Sequence, residues 1–461
     1  MNIRSVLVAN RGEIAVRIIR AAKALGLRTV QVYSDADASS LAVKLADEAV
    51  NIGKPAAAKS YLNVEAIIAA AKSAGVDAVH PGYGFLAENA DFADAVEAAG
   101  MVFIGPGGGA IRLLGDKVRA REIAMASGVP TVPGSNGRVS TMSEAAEVLE
   151  RTGFPVMIKA AAGGGGRGIR IARGPAEFER LFPQASAEAQ AAFGDGGLYI
   201  EAFVANARHV EVQILGDGED VIHCFERECS LQRRRQKVWE EARAVAIPND
   251  LRITLCNSAV ALGKRVGYRG AGTVEYLYDE ARQEVYFIEV NTRIQVEHPV
   301  TEMVTGIDLV QEMIRIAGGE KLSITQADVA VTGHAIECRI NAEDPARDFM
   351  PFPGQVGSLK VPEGEGIRFD TMLYEGYQIP PFYDSLLGKL IVWGKDRPAA
   401  LARLREALAG LEIGGLPTTV PLHQALVNDP DVVAGHTSTT FLEHWLEIRF
   451  TQSTKASQEV A

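Results

Sequence analysis

Over roughly the first 115 residues the chain alternates strand-like apolar runs with helical patterns, and this alternation constrains the fold more than any other feature. Val6-Leu7-Val8-Ala9 reads as a buried strand and Ile14 to Leu25 as a helix. Arg28 to Tyr33 reads as a second strand, Ala66 to Ala74 as a helix, Ala78-Val79 as the start of a third strand and Met101 to Ile104 as a fourth. Repeated βα units predict a parallel, doubly wound sheet. Ligand groups then gather at the carboxyl ends of the strands. His80-Pro81-Gly82-Tyr83-Gly84-Phe85 stands at such an end, although a plain Pro-Gly turn accounts for His80 equally well. The first turn, Asn10-Arg11-Gly12-Glu13, lacks the GxGxxG pattern of a dinucleotide site.

A second unit runs from about residue 130 to 203. The strand Pro155-Val156-Met157-Ile158-Lys159 ends in a lysine and leads into Gly163-Gly164-Gly165-Gly166-Arg167-Gly168, with strand Ile169 to Ala172 beyond. A glycine-rich turn between two strands is a hairpin flap, unlike a P-loop, which opens a helix. Its glycines let backbone N–H groups approach phosphate oxygens, and Lys159 adds a point charge. Four adjacent glycines are entropically expensive, which favours the phosphate reading over a floppy surface hairpin.

The third unit, about 204 to 447, reads first as antiparallel strands at Val210 to Leu215, Asp220 to Glu226, Gly272 to Tyr278 and Val285 to Ile288, with a helix over Asn249 to Val266. Gly333 to Ile340 and Leu386 to Val392 follow as strands and Pro398 to Leu408 as a helix; the tail after Arg449 is polar. The densest chemistry follows the Val285 strand, in Glu289-Val290-Asn291-Thr292-Arg293-Ile294-Gln295-Val296-Glu297-His298-Pro299-Val300-Thr301-Glu302. On an extended segment Glu289, Asn291, Arg293, Gln295 and Glu297 would share one face. Gathering such a set is costly unless something charged sits against it. A divalent cation suits Glu289 and Asn291, and an oxyanion suits Arg293. Glu275, on Thr273-Val274-Glu275-Tyr276-Leu277, is placed to face the same way and complete a magnesium site. Cys229-Ser230-Leu231-Gln232-Arg233-Arg234-Arg235-Gln236-Lys237 is the sharpest basic cluster, and Glu240 and Glu241 just after it favour a small-anion site over a nucleic-acid patch. Arg339 is a second candidate for the anion, or else a partner of Glu337 or Glu343. Metal, phosphate loop, lysines and anion pocket together imply ATP-driven activation of an oxyanion, with an oxygen attacking the γ-phosphate to give an acyl phosphate.

Bulk properties agree. The 461 residues suggest about three domains or lobes, and 23% charged with 47% hydrophobic residues is ordinary for a soluble globular protein. A net charge of −11 argues against a general nucleic-acid or membrane binder. Four cysteines, none in a CxxC pair, fit a reducing cytoplasm rather than a disulfide framework or zinc site. The N-terminal apolar run is too short for a signal peptide, and no run approaches the length of a membrane span.

At this point the motifs resemble a known family. Asn10-Arg11-Gly12-Glu13-Ile14-Ala15, His80 to Leu86, Gly115-Asp116-Lys117, the glycine flap, Arg208-His209-Val210-Glu211, Gln232-Arg233-Arg234 and the Glu289 to Glu302 block are, in order, similar to those of biotin carboxylases. The resemblance implies an ATP-grasp fold: an N-terminal doubly wound domain over 1–115, a linker and mobile glycine-rich lid over 116–203, a catalytic core over 204–335, a mainly antiparallel C-terminal domain over 336–447 and a polar tail over 448–461. It implies that MgATP (Mn2+ in place of Mg2+ at need) and bicarbonate give carboxyphosphate, which carboxylates biotin held on a separate biotin carboxyl carrier protein. Carboxyltransferase subunits and a homodimer come with it, and nucleic acid and membrane do not.

Carried over by motif, Lys117, Lys159, Gly163, Gly164, Gly165, Gly166, Glu201, Val204, His209, Gln232 and Leu277 would contact ATP. Glu275, Glu289 and Asn291 would surround the metal, and Lys237, Arg293, Gln295, Val296 and Glu297 would bind bicarbonate. Glu297 would be the general base, Arg339 would stabilise the enolate of biotin, and Tyr83 would border the biotin site. Lys237 and Arg293 complete the catalytic set. Four departures from the family pattern stand out: Arg235 for His or Asn, Arg243 for Pro, Ala161-Ala162 shortening the glycine run, and Ala202 for Lys. None removes a residue assigned to the chemical step. The final acceptor stays open among acetyl-CoA, another acyl-CoA, pyruvate and a urea-like compound. Two other readings compete: an ATP-grasp carboxylate–amine ligase, and a nucleotide-binding regulatory subunit without turnover.

Overall fold

A computed structural model describes residues 3–135, 137–161 and 169–450. The βα alternation builds a five-stranded parallel sheet in the spatial order Glu48–Gly53, Arg28–Ser34, Ser5–Val8, Ala78–His80, Val102–Phe103. Strand order reverses between Ser5–Val8 and Ala78–His80, so a crevice opens beyond their carboxyl ends. The two loops that leave this crevice are tied together: Asn10 Nδ2 donates to the carbonyls of Pro81 at 2.6 Å and Tyr83 at 2.7 Å. Gly82 makes the approach possible, because its φ is +65° and a Cβ there would lie 2.9 Å from Asn10 Nδ2. Glu48–Gly53 is not legible as a strand in the sequence. It lies at the sheet edge with Glu48, Ala49 and Asn51 exposed, so it shows no buried apolar run.

The second unit is a three-stranded antiparallel sheet, Arg170–Ala172, Val156–Ala160 and Leu198–Ala202, covered by the helices Met142–Thr152 and Pro175–Phe193. The first helix begins where the sequence allows a reciprocal cap: Thr141 accepts from the Glu144 backbone N–H and the Glu144 side chain answers to the Thr141 N–H. A core of Val148, Val156, Ile158, Phe178, Phe182, Leu198 and Ile200 closes the unit. The expected glycine flap, Gly163 to Gly166 with Ala162, lies outside the described residues.

The third unit centres on an eight-stranded antiparallel sheet: Glu284–Asn291, Arg269–Asp279, Arg208–Asp217, Val221–Arg233, Gln236–Ala242, His334–Asn341, Leu386–Gly394 and Ile367–Thr371. It is continuous across residue 335, because Gln236–Ala242 pairs with His334–Asn341. Gln236–Ala242 reads in the sequence as the end of a basic cluster. Its charged Lys237, Glu240 and Glu241 hide the strand, yet Glu240 and Glu241 are buried at its centre. One core packs helix Asn249–Arg265 on the sheet through Leu255, Ala259 and Leu262. Another packs helix Arg397–Gly410 on it through Leu401, Leu404 and Leu408. Among the described residues no helix is long and apolar enough to cross a membrane.

Candidate active site

Lys237 is the centre of the site. Its Nζ lies 2.6 Å from Glu211 Oε2, 2.9 Å from Glu275 Oε1 and 2.6 Å from Glu297 Oε1. The three carboxylates come from two strands and the loop after a third, so only the folded sheet assembles them. Burial works against the Lys237 charge, but the three carboxylates raise its pKa well above the usual lysine value. In return, burial would raise the Glu297 and Glu275 carboxyls, and the Lys237 charge holds both below the usual carboxylate range. The cage is thus charged on both sides at neutral pH.

Glu297 is gripped from a second direction. Arg339 NH2 lies 2.9 Å from Glu297 Oε2, and Arg339 Nε lies 2.6 Å from Glu240 Oε1. Beneath the cage Arg227 is wholly enclosed. Its guanidinium donates to Glu211, Gln213, Thr301, Thr273 and Gln295 at 2.6–3.2 Å, so every buried donor has an acceptor. Sequence reasoning passed over Arg227, Glu211 and Glu240 as site residues. Arg227 and Glu211 face one another across adjacent strands; Glu211 falls within a family motif without a role given to it, Arg227 lies just past the strand read as Asp220 to Glu226, and the charge within those apolar runs was the available signal.

The Glu289 to Glu297 block converges, but for a different reason from the one alternation suggests. The strand ends at Asn291, and Thr292 to Glu297 is a loop that turns into helix His298–Thr305. Strand pairing places Glu289 opposite Glu275 and Asn291 opposite Thr273. Loop contacts then place the rest: Gln295 Nε2 donates to Glu275 Oε1 at 2.8 Å, Asn291 Nδ2 donates to the same oxygen at 2.9 Å, and Arg293 NH2 reaches Asn291 Oδ1 at 3.0 Å. Arg293 is also held 2.9 Å from Glu88, a partner unnamed in the sequence reading. The Val296 carbonyl accepts from the fully buried Lys389 at 2.8 Å.

Glu275, Glu289 and Asn291 offer hard oxygen donors on adjacent strands. Burial and the Glu275 charge push the Glu289 carboxyl up, against Lys117, whose Nζ stands 3.9 Å away. A divalent cation would relieve that repulsion, so the donor set fits Mg2+. His209 Nε2 lies 3.2 Å from Glu275 Oε2. Burial lowers its pKa, but Glu275 overrides that and lifts it to about 9.

The residues expected around a nucleotide divide between wall and lid. Lys117 opens helix Lys117–Ala126, which Asp116 caps, and Lys117 is largely exposed. Lys159 pairs with Glu201, which also receives Arg121 at 3.4 Å. Val204 and Leu277 meet in one apolar cluster with Val132, Ala207 and Tyr286. Gln232 is buried and donates to the Cys229 carbonyl at 2.8 Å. Gly163, Gly164, Gly165 and Gly166 lie outside the described residues.

Tyr83 sits in the crevice of the parallel sheet, and its hydroxyl donates to Glu13, which Lys389 also approaches at 3.2 Å. The Glu13–Lys389 pair therefore links Tyr83 to the Val296 carbonyl. Tyr83 also borders a cleft of about 230 Å³ lined by Glu13, Phe85, Phe382, Tyr383 and Asp384. Of the departures, Arg235 sits with Arg234 at a turn tip with φ of 64° and 49°, Arg243 follows the strand Gln236–Ala242, and Ala202 ends the strand Leu198–Ala202.

Comparison with known proteins places this geometry. Residues 2–111 match the model for the biotin carboxylase N-terminal domain, 116–325 that for the carbamoyl-phosphate synthase L chain ATP binding domain, and 337–444 that for the biotin carboxylase C-terminal domain. The chain is 54% identical over 444 residues to a biotin carboxylase of Nostoc sp. strain PCC 7120, covering 96% of this chain and 99% of that one. It superposes with a TM-score of 0.91 on the β,γ-ATP complex of biotin carboxylase from Campylobacter jejuni, at 44% identity over 96% of this chain and 99% of that one. It superposes with a TM-score of 0.89 on the biotin carboxylase domain dimer of Hydrogenobacter thermophilus 2-oxoglutarate carboxylase, solved with MgADP, ADP and bicarbonate, at 47% identity over 96% and 98% of the chains.

Proposed function

This chain belongs to the biotin carboxylase family, and on that premise we propose how its own residues divide the work. The enzyme is an ATP-dependent ligase that carboxylates biotin with bicarbonate through carboxyphosphate. The observation that carries the assignment of roles is the double grip on Glu297, charged and held between Lys237 at 2.6 Å and Arg339 at 2.9 Å. Bicarbonate binds against Lys237, Arg293, Gln295 and the Val296 backbone. Glu297 takes its proton, and the freed oxygen attacks the γ-phosphorus as the bond to ADP breaks. Lys117, Lys159 and the glycine flap hold the phosphates, while Glu201, Val204, His209, Gln232 and Leu277 hold the rest of the nucleotide. Glu275, Glu289 and Asn291 hold Mg2+, which when bound neutralises phosphate charge. Arg339 then stabilises the enolate that forms on biotin, with Tyr83 bordering that site.

Biotin arrives on a carboxyl carrier protein, and a carboxyltransferase partner sets the final acceptor, with acetyl-CoA or another acyl-CoA first. We propose a homodimer in the cytoplasm. Four free, buried cysteines accord with a reducing compartment.

The test is ADP release from MgATP with bicarbonate and free biotin each added and omitted. Turnover should need both, and Glu297→Gln should lower it by about 10²–10⁴-fold. Turnover indifferent to biotin would instead point to a carboxylate–amine ligase.

A further inference from the structure

Two buried carboxylates have no part in the roles above. Glu240 and Glu337 are directly opposed across the pairing of Gln236–Ala242 with His334–Asn341, so their side chains leave the sheet on one face. Both are fully buried. Glu240 Oε1 accepts from Arg339 Nε at 2.6 Å. Glu240 Oε2 and both Glu337 oxygens have no hydrogen-bond partner among the described residues. Arg339 follows Glu337 by two positions on the same strand and so shares that face.

Three unsatisfied carboxylate oxygens are a severe cost if both groups are ionised, and like charges so placed cannot both be. The groups that act on the pair are Arg339 and the Cys338 thiol from the strand of Glu337, Lys237 from the strand of Glu240, Lys389 from the strand Leu386–Gly394, Glu297 from the loop, and the Cys229 thiol from the strand Val221–Arg233. Among the described residues the one ion pair made by either carboxylate is that of Glu240 with Arg339. The asymmetry therefore places the charge on Glu240 and the proton on Glu337.

We propose that Glu337 holds the one proton of the pair, and that Glu240, left ionised against Arg339, is a positioning residue for that arginine. The inference rests on the role given to Arg339 above. Held through Nε by Glu240, the guanidinium keeps its NH2 toward Glu297 and the biotin side. When Glu297 accepts the bicarbonate proton its pull on Arg339 weakens, and Glu240 alone then fixes the guanidinium beneath the forming enolate. Burial sets the direction for both acids. It lifts Glu240, opposed by Arg339, to about 7, and it lifts Glu337 well above the usual range despite Lys389.

The experiment pairs infrared difference spectroscopy with kinetics on the full chain. Above about pH 7, where Glu240 is ionised, the wild type should show the carbonyl stretch of a buried carboxylic acid that is lost in the difference spectrum against Glu337→Gln. Glu337→Gln is uncharged like the protonated acid and leaves the contact of Glu240 with Arg339 in place, so its biotin-dependent turnover should stay near wild type. Glu240→Gln should lower biotin-dependent turnover by about tenfold or more with the ATP KM unchanged within about twofold. It should also flatten the fall in wild-type rate as pH drops through about 7. A band that survives Glu337→Gln, or a Glu240→Gln enzyme with the wild-type pH profile, overturns the proposal. If Glu240→Gln fails to fold, the Glu337→Gln spectrum decides. Failure of the proposed function shows separately, as wild-type turnover that ignores biotin while the infrared band follows Glu337.

Discussion

The floor of the site and the unit over residues 130–203 treat the charge of their lysines in opposite ways. On the floor, Lys237 is 12% exposed and meets three carboxylates, and Arg227 beneath it is 0% exposed. In the other unit Lys159 is 34% exposed and meets one carboxylate, and Lys117 at its border is 64% exposed with Glu289 at 3.9 Å. The floor charges are fixed before any substrate arrives, which is what electrostatic stabilisation of a transition state requires. The peripheral lysines keep water and side-chain freedom, so their effect belongs to nucleotide binding.

The contrast can be broken most severely at its centre. Lys237→Met leaves Glu211, Glu275 and Glu297 facing one another without their cation. We expect a loss of stability of about 3–5 kcal/mol in chemical denaturation together with loss of turnover. A variant as stable as the wild type would show that the cage is not preorganised by this ion pair.

A second test uses acid. His423 is buried beside the Arg339 carbonyl, 2.8 Å away. Burial lowers its pKa to about 4, below the usual value of 6.5. The neutral form is the one folded around, so its contribution is complete above pH about 6.5 and is lost as pH falls toward 4. The loss should reach on the order of 3 kcal/mol. No histidine occurs between His80 and His209, so this titration leaves the peripheral unit untouched. Urea melts of wild type and His423→Gln across this range should diverge in slope; parallel curves would remove His423 as the cause.

The smallest effect is expected at the periphery. Lys159→Ala should raise the ATP KM while shifting stability by about 0.5 kcal/mol or less, because a partly exposed pair contributes little. A large drop in melting temperature would show that Lys159 is as structural as the floor lysine.

Chemistry-bearing residue types were readable from the chain wherever they cluster locally: the Glu289 to Glu297 block, the Gln232 to Lys237 run and the parallel βα pattern. Arg227, Glu211 and Glu240 were not readable as site residues. Glu211 and Arg227 lie in mostly apolar strands, Glu240 in a strand that its own charges hide, and the partners of each are contributed by distant segments. The extended-strand argument also stopped at Asn291, because a loop, not alternation, carries Arg293, Gln295 and Glu297 to the site.

By itself the sequence determined the layer architecture and which charged and polar residue types cluster along the chain, since periodicity and residue chemistry are local properties. Only the tertiary structure decided their charge states. That three carboxylates surround one lysine, that Arg339 is shared between Glu240 and Glu297, and that the Glu337 carboxyl has no hydrogen-bond partner among the described residues follow from strand register and burial. Charge energetics depend on distances and dielectric surroundings, which no segment carries until the eight-stranded sheet has closed around it.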